Sequence, residues 1–396
     1  MRILAAHVSQ FRNLTEAQFP LSSRVTAFIG PNGQGKTNLL EALYSIAALR
    51  PLRSAPRAEL IQAGRDLARV DVSVLSQRTG LTHELSVELR RASRTLIRDG
   101  KACDAGAFLG HLVTVAFTPD DLEITKGGPD LRRRLLDRAL LNARPAYLST
   151  ALRYGRALKA RNRVLTEGQS DGVLEAFDET LAQAGAAVLA ARVEYVRRLA
   201  PGIATCFAAI ARPAPELTVR YRSTLDKTRG RVDAAHAADA ADAMDAMDAM
   251  DAMDDADRLA ALRHALLERR PHDRRRGLTS VGPHLDDLEL RLDGAPARTR
   301  ASQGQHRALV LAIKLAEIAL LTDQLGEPPV LLLDDISSEL DAERSQQLFA
   351  SIIALDGQVI LSTTDRAQVP VGPAEGEAAL CYAVHAGTVR PFDTRA

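Results

Sequence analysis

The apolar residues of this chain recur with two different periods. Val25, Ala27 and Ile29 lie in a short apolar run that ends at Gly30, a pattern typical of a buried parallel strand. From Lys36 onward the apolar residues recur at helical spacing, and they are Leu39, Leu40, Leu43, Ile46 and Ala47. We therefore predict a strand, a glycine-rich turn and a helix over this part of the chain.

Two further elements are predicted nearer the other end. Residues 330–333 form a continuous apolar run that two prolines precede and two acids, Asp334 and Asp335, follow. This pattern indicates a second buried strand. Ahead of it, a long apolar-striped helix is predicted to begin near Gln305, directly after a turn that contains Ser302 and Gly304.

A longer helix is predicted in the middle of the chain. Its apolar residues alternate steps of three and four and stop before Pro201 and Gly202. They are Leu174, Phe177, Leu181, Ala184, Val188, Ala191 and Tyr195. Two structures fit this stripe equally well: a helix packed in a small α-helical domain, or a short coiled-coil arm.

The glycine-rich turn matches the pattern G-x-x-x-x-G-K-T, which between a strand and a helix is typical of a loop that binds nucleotide phosphates. Backbone N–H groups can surround a β-phosphate, the Lys36 ammonium can contact the β- and γ-oxygens, and the Thr37 hydroxyl can ligate Mg²⁺. The alternative is a chance match in an ordinary turn. The candidate nucleotide-binding residues are Gly30, Pro31, Asn32, Gly33, Gln34, Gly35, Lys36 and Thr37.

The acids after the second strand suit the remainder of such a site. We assign Asp334 to the metal together with Thr37, and Asp335 to catalysis together with Lys36, because a carboxylate there can orient or deprotonate an attacking water. A purely structural role for the acids is the alternative. The turn at Ser302 and Gly304 precedes a helix N-terminus, which favours an anionic ligand.

Charge is unevenly distributed along the chain. Residues 233–257 hold nine aspartates and no lysine or arginine, and without them 51 basic residues would face 41 acidic ones, an excess of +10. The tract repeats A-M-D four times. A period of three slips around a helix of 3.6 residues per turn, so no apolar face forms, and we predict a flexible acidic insertion.

The basic excess is clustered, which suits contact with a nucleic-acid backbone, although a solvated helix surface would have the same composition. The candidate DNA-binding residues are Arg132, Arg133, Arg134, Arg153, Arg156 and Lys159. No apolar run is long enough to span a membrane, and the first residues lack a secretory pattern, so we expect a cytoplasmic protein. Three widely spaced cysteines argue against a disulfide framework or a zinc site.

The combined motifs resemble a known family. The order G-P-N-G-Q-G-K-T-N, S-Q-G-Q-x-R, L-L-L-D-D-x-x-S-E-L-D is similar to the ABC-type ATPase heads of the SMC and break-repair class, and most specifically to the RecF family of bacterial recombination mediators. Further matches are "FRNL" at residues 11–14, "FTPDDLEITKGGPDLRRRLLD" at 117–137 and "VGPHLDDLEL" at 281–290. The resemblance fails only over the aspartate tract.

The resemblance implies an α/β fold, an ABC-type P-loop ATPase head with an inserted, mostly helical lid or arm domain. It implies that Ser302, Gln303, Gly304 and Gln305 form a signature loop that meets the γ-phosphate of ATP held by a second copy, so that ATP with Mg²⁺ joins an ATP-dependent homodimer. Residues 338–341, Ser-Glu-Leu-Asp, would cross that interface. It further implies binding to single-stranded and duplex DNA at gap junctions, partnership with RecR and RecO, and action in recombinational repair, replication and the SOS response.

Departures from common ABC patterns favour slow hydrolysis. Thr118-Pro119-Asp120 stands where a glutamine is usual, and Thr363-Thr364-Asp365 where a histidine is usual. Asp335 is one methylene shorter than the usual glutamate, so we expect a weak, DNA-dependent ATPase that acts as a switch. Leu285 stands where the RecF pattern usually has arginine, and no role is assigned to it.

The motif order predicts a split ATPase domain, residues 1–118 with 280–396, interrupted by a helical domain, residues 119–279. Two other classes of protein share part of this pattern. A transporter's nucleotide-binding subunit would need the absent glutamine and histidine. A P-loop phosphotransferase acting on a small substrate would need no signature serine and would bind ATP as a monomer.

Overall fold

The computed structural model describes residues 1–53, 55–211, 213–225, 253–335, 357–369 and 379–392. The chain divides into two compact units. The first comprises Met1–Leu122 and Arg307–Ala396, and the second comprises Glu123–His306.

The first unit contains an antiparallel six-stranded sheet in the order β2-β1-β4-β5-β6-β7. Its strands alternate buried and more exposed residues, most regularly in β4, because one face packs on the core and the other faces water. The strands are β1 Arg2–Phe11, β2 Leu14–Pro20, β4 Leu67–Leu75, β5 Thr82–Arg90, β6 Arg94–Arg98 and β7 Lys101–Cys103.

A second six-stranded sheet in the same unit has the order β15-β14-β3-β13-β12-β8 and is parallel except for the β14–β15 pair. Its four strands β3, β8, β12 and β13 are buried along their whole length, which explains their continuous apolar sequences. The strands are β3 Val25–Ile29, β8 Thr114–Phe117, β12 Val330–Asp334, β13 Val359–Thr363, β14 Leu380–His385 and β15 Thr388–Pro391.

The helix Lys36–Ala48 packs against both sheets, touching β1, β4 and β5 on one side and β8, β12 and β13 on the other. Ten of its 13 residues are buried, so the apolar spacing seen in the sequence forms part of the core between the two sheets. The first unit also contains most of the long helix Gln303–Leu325 and one short helix, Ala105–Phe108. Three 3₁₀ turns are described in it as well: Arg57–Leu60, Pro119–Leu122 and Arg366–Gln368. The predicted α/β class is confirmed.

The second unit is built mainly of helices and carries a three-stranded sheet in the order β11-β10-β9. Those strands are β9 Leu217–Arg222, β10 Asp287–Leu292 and β11 Ala295–Pro296. The helices are Glu123–Lys126, Pro129–Ala143, Tyr147–Thr166, Asp171–Ile210, Asp255–Arg276 and Ala297–Arg300. The helix Gln303–Leu325 begins in this unit, and its residues from Arg307 onward belong to the first.

The long central helix differs in length from its prediction. It continues through Pro201 to Ile210, although proline removes one backbone hydrogen bond. Ile203 and Phe207, beyond the proline, are fully buried, and this burial favours continuation of the helix. The helix packs against Tyr147–Thr166 and Asp255–Arg276, so the packed-helix interpretation of the apolar stripe is correct and the coiled-coil arm is not.

The unit boundaries also differ from the predicted ones, falling after Leu122 and His306 instead of after residues 118 and 279. The second shift has a clear cause. Strand β10 pairs with β9 and contacts the helix Pro129–Ala143, so residues 280–306 pack with the helical unit.

Most of the aspartate tract lies outside the described residues, but its last five residues are part of the helical unit. Met253 is buried, and the Asp254 carboxylate caps the helix Asp255–Arg276 by accepting a 2.8 Å hydrogen bond from the Asp257 backbone N–H. Residues 253–257 are therefore not part of a flexible insertion, whereas the prediction for residues 233–252 lies outside the described residues. Among the described helices, none combines the length and apolar character needed to cross a bilayer.

Candidate functional site

The turn after β3 requires glycine at two positions. A Cβ on Gly30 would lie 2.3 Å from the Val384 carbonyl oxygen of β14, which is too close for any side chain. Gly35 precedes the helix Lys36–Ala48 with a φ of +112°, and a Cβ there would lie 2.8 Å from the Asn13 side-chain oxygen. Gly30 is thus explained by the close approach of the β14 backbone, and Gly35 by its positive φ and the nearby Asn13 side chain.

Two neighbouring segments fix the turn in place through Gln34. The Asn13 side-chain amide donates to the Gln34 carbonyl at 3.2 Å. From the β14–β15 hairpin, the Gly387 N–H donates to that same carbonyl at 2.9 Å, and the Ala386 N–H donates to the Gln34 side-chain oxygen at 2.7 Å. Sequence reasoning gave Asn13 no role, although it lies within the "FRNL" motif.

Lys36 is folded over its own turn. Its Nζ donates to the carbonyls of Gly30 at 2.6 Å and Pro31 at 2.9 Å, and the residue is buried. Burial lowers the pKa of the Lys36 ammonium, and the carboxylates of Asp335 and Asp334 oppose that shift. A cation held by neutral carbonyls beside two acids is suited to exchange those carbonyls for the oxygens of an anion.

The acid strand meets the turn directly. The Thr37 hydroxyl donates to Asp334 Oδ1 at 2.8 Å, and the Ser362 hydroxyl donates to the same oxygen at 2.8 Å. Asp334 and Ser362 are register partners on the parallel strands β12 and β13, which places the serine beside the acid. Sequence reasoning missed Ser362, whose only signal is its position at the end of a buried strand.

The environment of Asp334 suits a hard divalent cation. Burial raises the pKa of its carboxyl, while the hydrogen bonds from Ser362 and Thr37 oppose the shift. A hydroxyl and a carboxylate 2.8 Å apart are oxygen donors of the kind that Mg²⁺ prefers. These residues therefore fit the predicted metal.

Asp335 is presented by an unusual backbone. Its φ is +46°, a left-handed conformation that aspartate tolerates better than most residues, and its N–H donates to Ser362 Oγ at 3.1 Å. The next residues, including the predicted interface segment 338–341, lie outside the described residues.

A buried ion pair supports the helix that follows the turn. Glu41 has no exposed surface, and it accepts from Arg12 Nε at 2.9 Å and from a second Arg12 nitrogen at 3.3 Å. The Arg53 backbone N–H donates to the same carboxylate at 3.3 Å. This pair holds the "FRNL" segment against the helix.

The predicted signature turn lies in the second unit and forms a reciprocal cap on the helix Gln303–Leu325. The Gln305 N–H donates to Ser302 Oγ at 3.2 Å, and the Ser302 N–H donates to the Gln305 side-chain oxygen at 2.8 Å. This is the S-x-x-Q capping box. The serine hydroxyl retains its own proton for donation to a further acceptor.

The six DNA candidates fall into two groups. Arg132 is buried and donates two hydrogen bonds to Asp287 and two to the carbonyls of Ile124 and Gly127, so its assignment to a DNA surface is wrong. Arg133 is mostly covered and donates to the Asp286 carbonyl and to Asp130. The remaining four, Arg134, Arg153, Arg156 and Lys159, are exposed.

Three of the exposed cations lie at spacings of three on the helix Tyr147–Thr166. Arg153 and Arg156 line a groove of about 560 Å³ between this helix and Asp171–Ile210. Its apolar lining includes Leu152 and Phe177. The combination of cations with an apolar floor can contact both phosphates and less polar parts of a ligand.

Most of the chain matches a known protein family. Residues 3–375 match the RecF/RecN/SMC N terminal domain. The chain is 43% identical, over 99% of its length and 100% of the relative's, to the DNA replication and repair protein RecF of Anaeromyxobacter sp. (strain K). It is 45% identical to the protein of the same name from Myxococcus xanthus (strain DK1622), covering 98% of this chain and 97% of that one. The chain belongs to the RecF family.

Solved structures agree with this assignment. The recombination mediator protein RecF with ATPrS, in the RecFOR pathway, superposes with a TM-score of 0.85 at 26% identity, covering 99% of this chain and 98% of that one. RecF with ATP gives 0.83, also at 26% identity. An Smc head bound to a ScpA domain gives 0.53 at 14% identity, which shows a shared head fold. The predicted RecF-type ATPase head is confirmed.

Proposed function

We propose that this RecF-family chain is a cytoplasmic, ATP-dependent DNA clamp that acts in recombinational repair of gapped DNA and in replication-fork maintenance. One observation carries the proposed nucleotide binding: the hydrogen bond from Thr37 to Asp334. It joins the phosphate-binding turn to the acidic end of β12, although 297 positions of sequence separate the two residues. Relatives solved with ATP and an ATP analogue support the same reading.

The chain's own residues divide the work at the site. Lys36 exchanges its bonds to Gly30 and Pro31 for phosphate oxygens, and the backbone N–H groups of the turn surround the β-phosphate. Thr37 and Asp334 would hold Mg²⁺, which when bound would supply positive charge to the phosphate oxygens. Asp335 orients the attacking water and accepts its proton.

A second copy completes the site in this proposal. Ser302 with Gly304 and Gln305 begins a helix of 23 residues, and the positive end of that helix meets the γ-phosphate held by the other copy. ATP then joins two molecules, and hydrolysis releases them. The short acid at residue 335 and the absence of the usual glutamine and histidine favour slow turnover, so that ATP acts as a switch.

Arg153, Arg156 and Lys159 form the proposed DNA surface, with Arg134 as a further exposed cation. These side chains would contact backbone phosphates, and nothing in their arrangement predicts a preferred base sequence. Partnership with RecO and RecR rests on relatives named for the RecFOR pathway.

Sedimentation of the pure protein with gapped duplex DNA, with and without Mg²⁺ and ATP, tests the proposal. We expect a dimer on DNA with ATP and a monomer without it. ATP hydrolysis by a protein that stays monomeric would instead favour a phosphotransferase.

A further inference from the structure

The predicted signature turn packs against the short helix Glu123–Lys126 of the same unit. Thr125 Oγ1 lies 2.9 Å from His306 Nδ1, and both residues are buried. Lys126 Nζ donates to the Gln303 side-chain oxygen at 2.8 Å. Gln303 within the turn and His306 directly after it are therefore bonded to two consecutive residues of one short helix.

The segment before the turn makes a related contact. The helix Ala297–Arg300 also packs against Glu123–Lys126, and the Ala301 N–H donates to the Ala297 carbonyl at 2.9 Å. The turn is thus supported from the residues that precede it as well as from those that follow.

The supporting helix is itself held firmly. Arg132 donates to the carbonyls of Ile124 at 2.9 Å and Gly127 at 3.0 Å, around the end of the short helix. The same guanidinium donates to both oxygens of Asp287 on β10, at 2.7 and 3.0 Å. From β10 the chain continues through β11 and Ala297–Arg300 to the turn. Arg132 therefore links the short helix to the same stretch of chain that leads into the turn.

The capping box already satisfies the free backbone groups of Ser302 and Gln305, so the turn's internal structure needs no further support. The hydrogen bonds from Thr125 and Lys126 instead fix the position of the turn within the second unit. Burial lowers the pKa of the His306 imidazole, and the Lys126 charge contributes to that shift.

We infer that Thr125 and Lys126 are positioning residues for the turn Ser302–Gln305, and that through it they determine how well one copy meets the nucleotide of another. This inference rests on the proposed function. Neither residue belongs to the loop Gly30–Thr37, so ATP binding by a single copy should be independent of both.

The experiment compares Thr125→Val, which keeps the shape and removes the hydroxyl, with Thr125→Ser, which keeps the hydroxyl. Lys126→Met is the second test, and Lys101→Met, on an exposed strand of the first unit, is the charge-matched control. Fluorescent-ATP titration at low protein concentration measures binding to the monomer. Sedimentation at saturating Mg²⁺ and ATP measures dimerisation.

We expect unchanged ATP affinity in all four variants. Losing one hydrogen bond should raise the protein concentration for half-dimerisation about fivefold per turn, or about 25-fold for a dimer with two altered turns. This shift should occur in Thr125→Val and Lys126→Met, while Thr125→Ser and Lys101→Met behave as wild type. Lys126 is on the surface, so its variant should fold even if Thr125→Val does not.

The inference would be overturned if Thr125→Val and Lys126→Met both dimerised at the same protein concentration as the wild type. It would also be overturned if Thr125→Val and Thr125→Ser dimerised equally poorly. A wild-type protein that stays monomeric with Mg²⁺ and ATP would overturn the proposed function itself, so the two failures are distinguishable.

Discussion

The Thr37 hydroxyl donates a 2.8 Å hydrogen bond to Oδ1 of Asp334, although 297 residues separate them in sequence. The parallel pairing of β3, β13 and β12 brings the ends of their strands together at one edge of the sheet. Ser362, at the end of the intervening strand, donates to the same oxygen. The sheet itself therefore holds the candidate metal pair, Thr37 and Asp334, in place.

Replacing Lys36 with alanine should weaken ATP binding about 10- to 100-fold, because a charged hydrogen bond to phosphate is lost. ATP-dependent retention on DNA should disappear, while the fold remains. Lys36→Arg is the companion variant, expected to bind ATP better than alanine but to hydrolyse it poorly, because a planar guanidinium does not reproduce a compact ammonium. Calorimetry with ATP checks both, and normal affinity in Lys36→Ala would contradict the site assignment.

Asp335→Asn should trap the ATP-bound state. The amide keeps the side-chain shape and tolerates the left-handed backbone at φ +46°, but it accepts no proton, so hydrolysis should fall about 10²- to 10⁴-fold. Release of the protein from gapped DNA with ATP, followed by fluorescence, should slow. Faster release than wild type would show that Asp335 does not serve this role.

Ser302→Arg should block dimerisation and hydrolysis together, because a bulky side chain would enter the proposed contact with the partner's γ-phosphate. Monomer binding of ATP should be nearly unchanged, since Lys36 and Thr37 are untouched. Mixing Ser302→Arg with Lys36→Ala protein should restore some dimer, because one of the two composite sites then has an intact loop and an intact turn. Sedimentation measures this, and full dimerisation of Ser302→Arg alone would rule out the head-to-tail arrangement.

The double variant Arg153→Ala with Arg156→Ala should weaken binding equally for all DNA sequences. The slope of log affinity against log salt concentration should become less steep by roughly 0.9 for each of the two lost phosphate contacts. Arg132→Ala is the contrasting variant. It leaves Asp287 unpaired in a mostly buried site, so it should lower the free energy of unfolding by about 3 kcal/mol. A salt titration and a denaturant titration separate the two effects, and an unchanged salt slope in the double variant would exclude the surface contact.

Deleting residues 237–252 should leave ATP affinity intact and either leave DNA affinity unchanged or strengthen it modestly, because local negative charge is removed. The deletion stops before Met253, which is buried, and Asp254, which caps a helix. Extending it to residue 257 should cost about 1 kcal/mol more in stability through the lost cap alone. Thermal unfolding compares the two deletions, and a large loss from the shorter one would show that the tract is packed.

The sequence by itself determined the strand, turn and helix around Lys36, the acid strand and the capped helix after Ser302, because each depends on local spacing and on residues with special backbone properties. The family resemblance also followed from contiguous motifs. The charge clusters were less informative. Arg132 and Arg134 belong to one run of arginines, yet the first is buried and paired while the second is exposed.

Only the tertiary structure decided which charged residues are buried and which are exposed, because burial depends on partners that are distant in sequence. Asp287 lies 155 positions from Arg132, and Ser362 lies 28 positions from Asp334 on a neighbouring strand. The same reason explains why the central helix passes Pro201, where burial of Ile203 and Phe207 outweighs a lost hydrogen bond, and why residues 280–306 pack with the helical unit. Local patterns specify elements, whereas long-range pairing specifies which charges remain free to act.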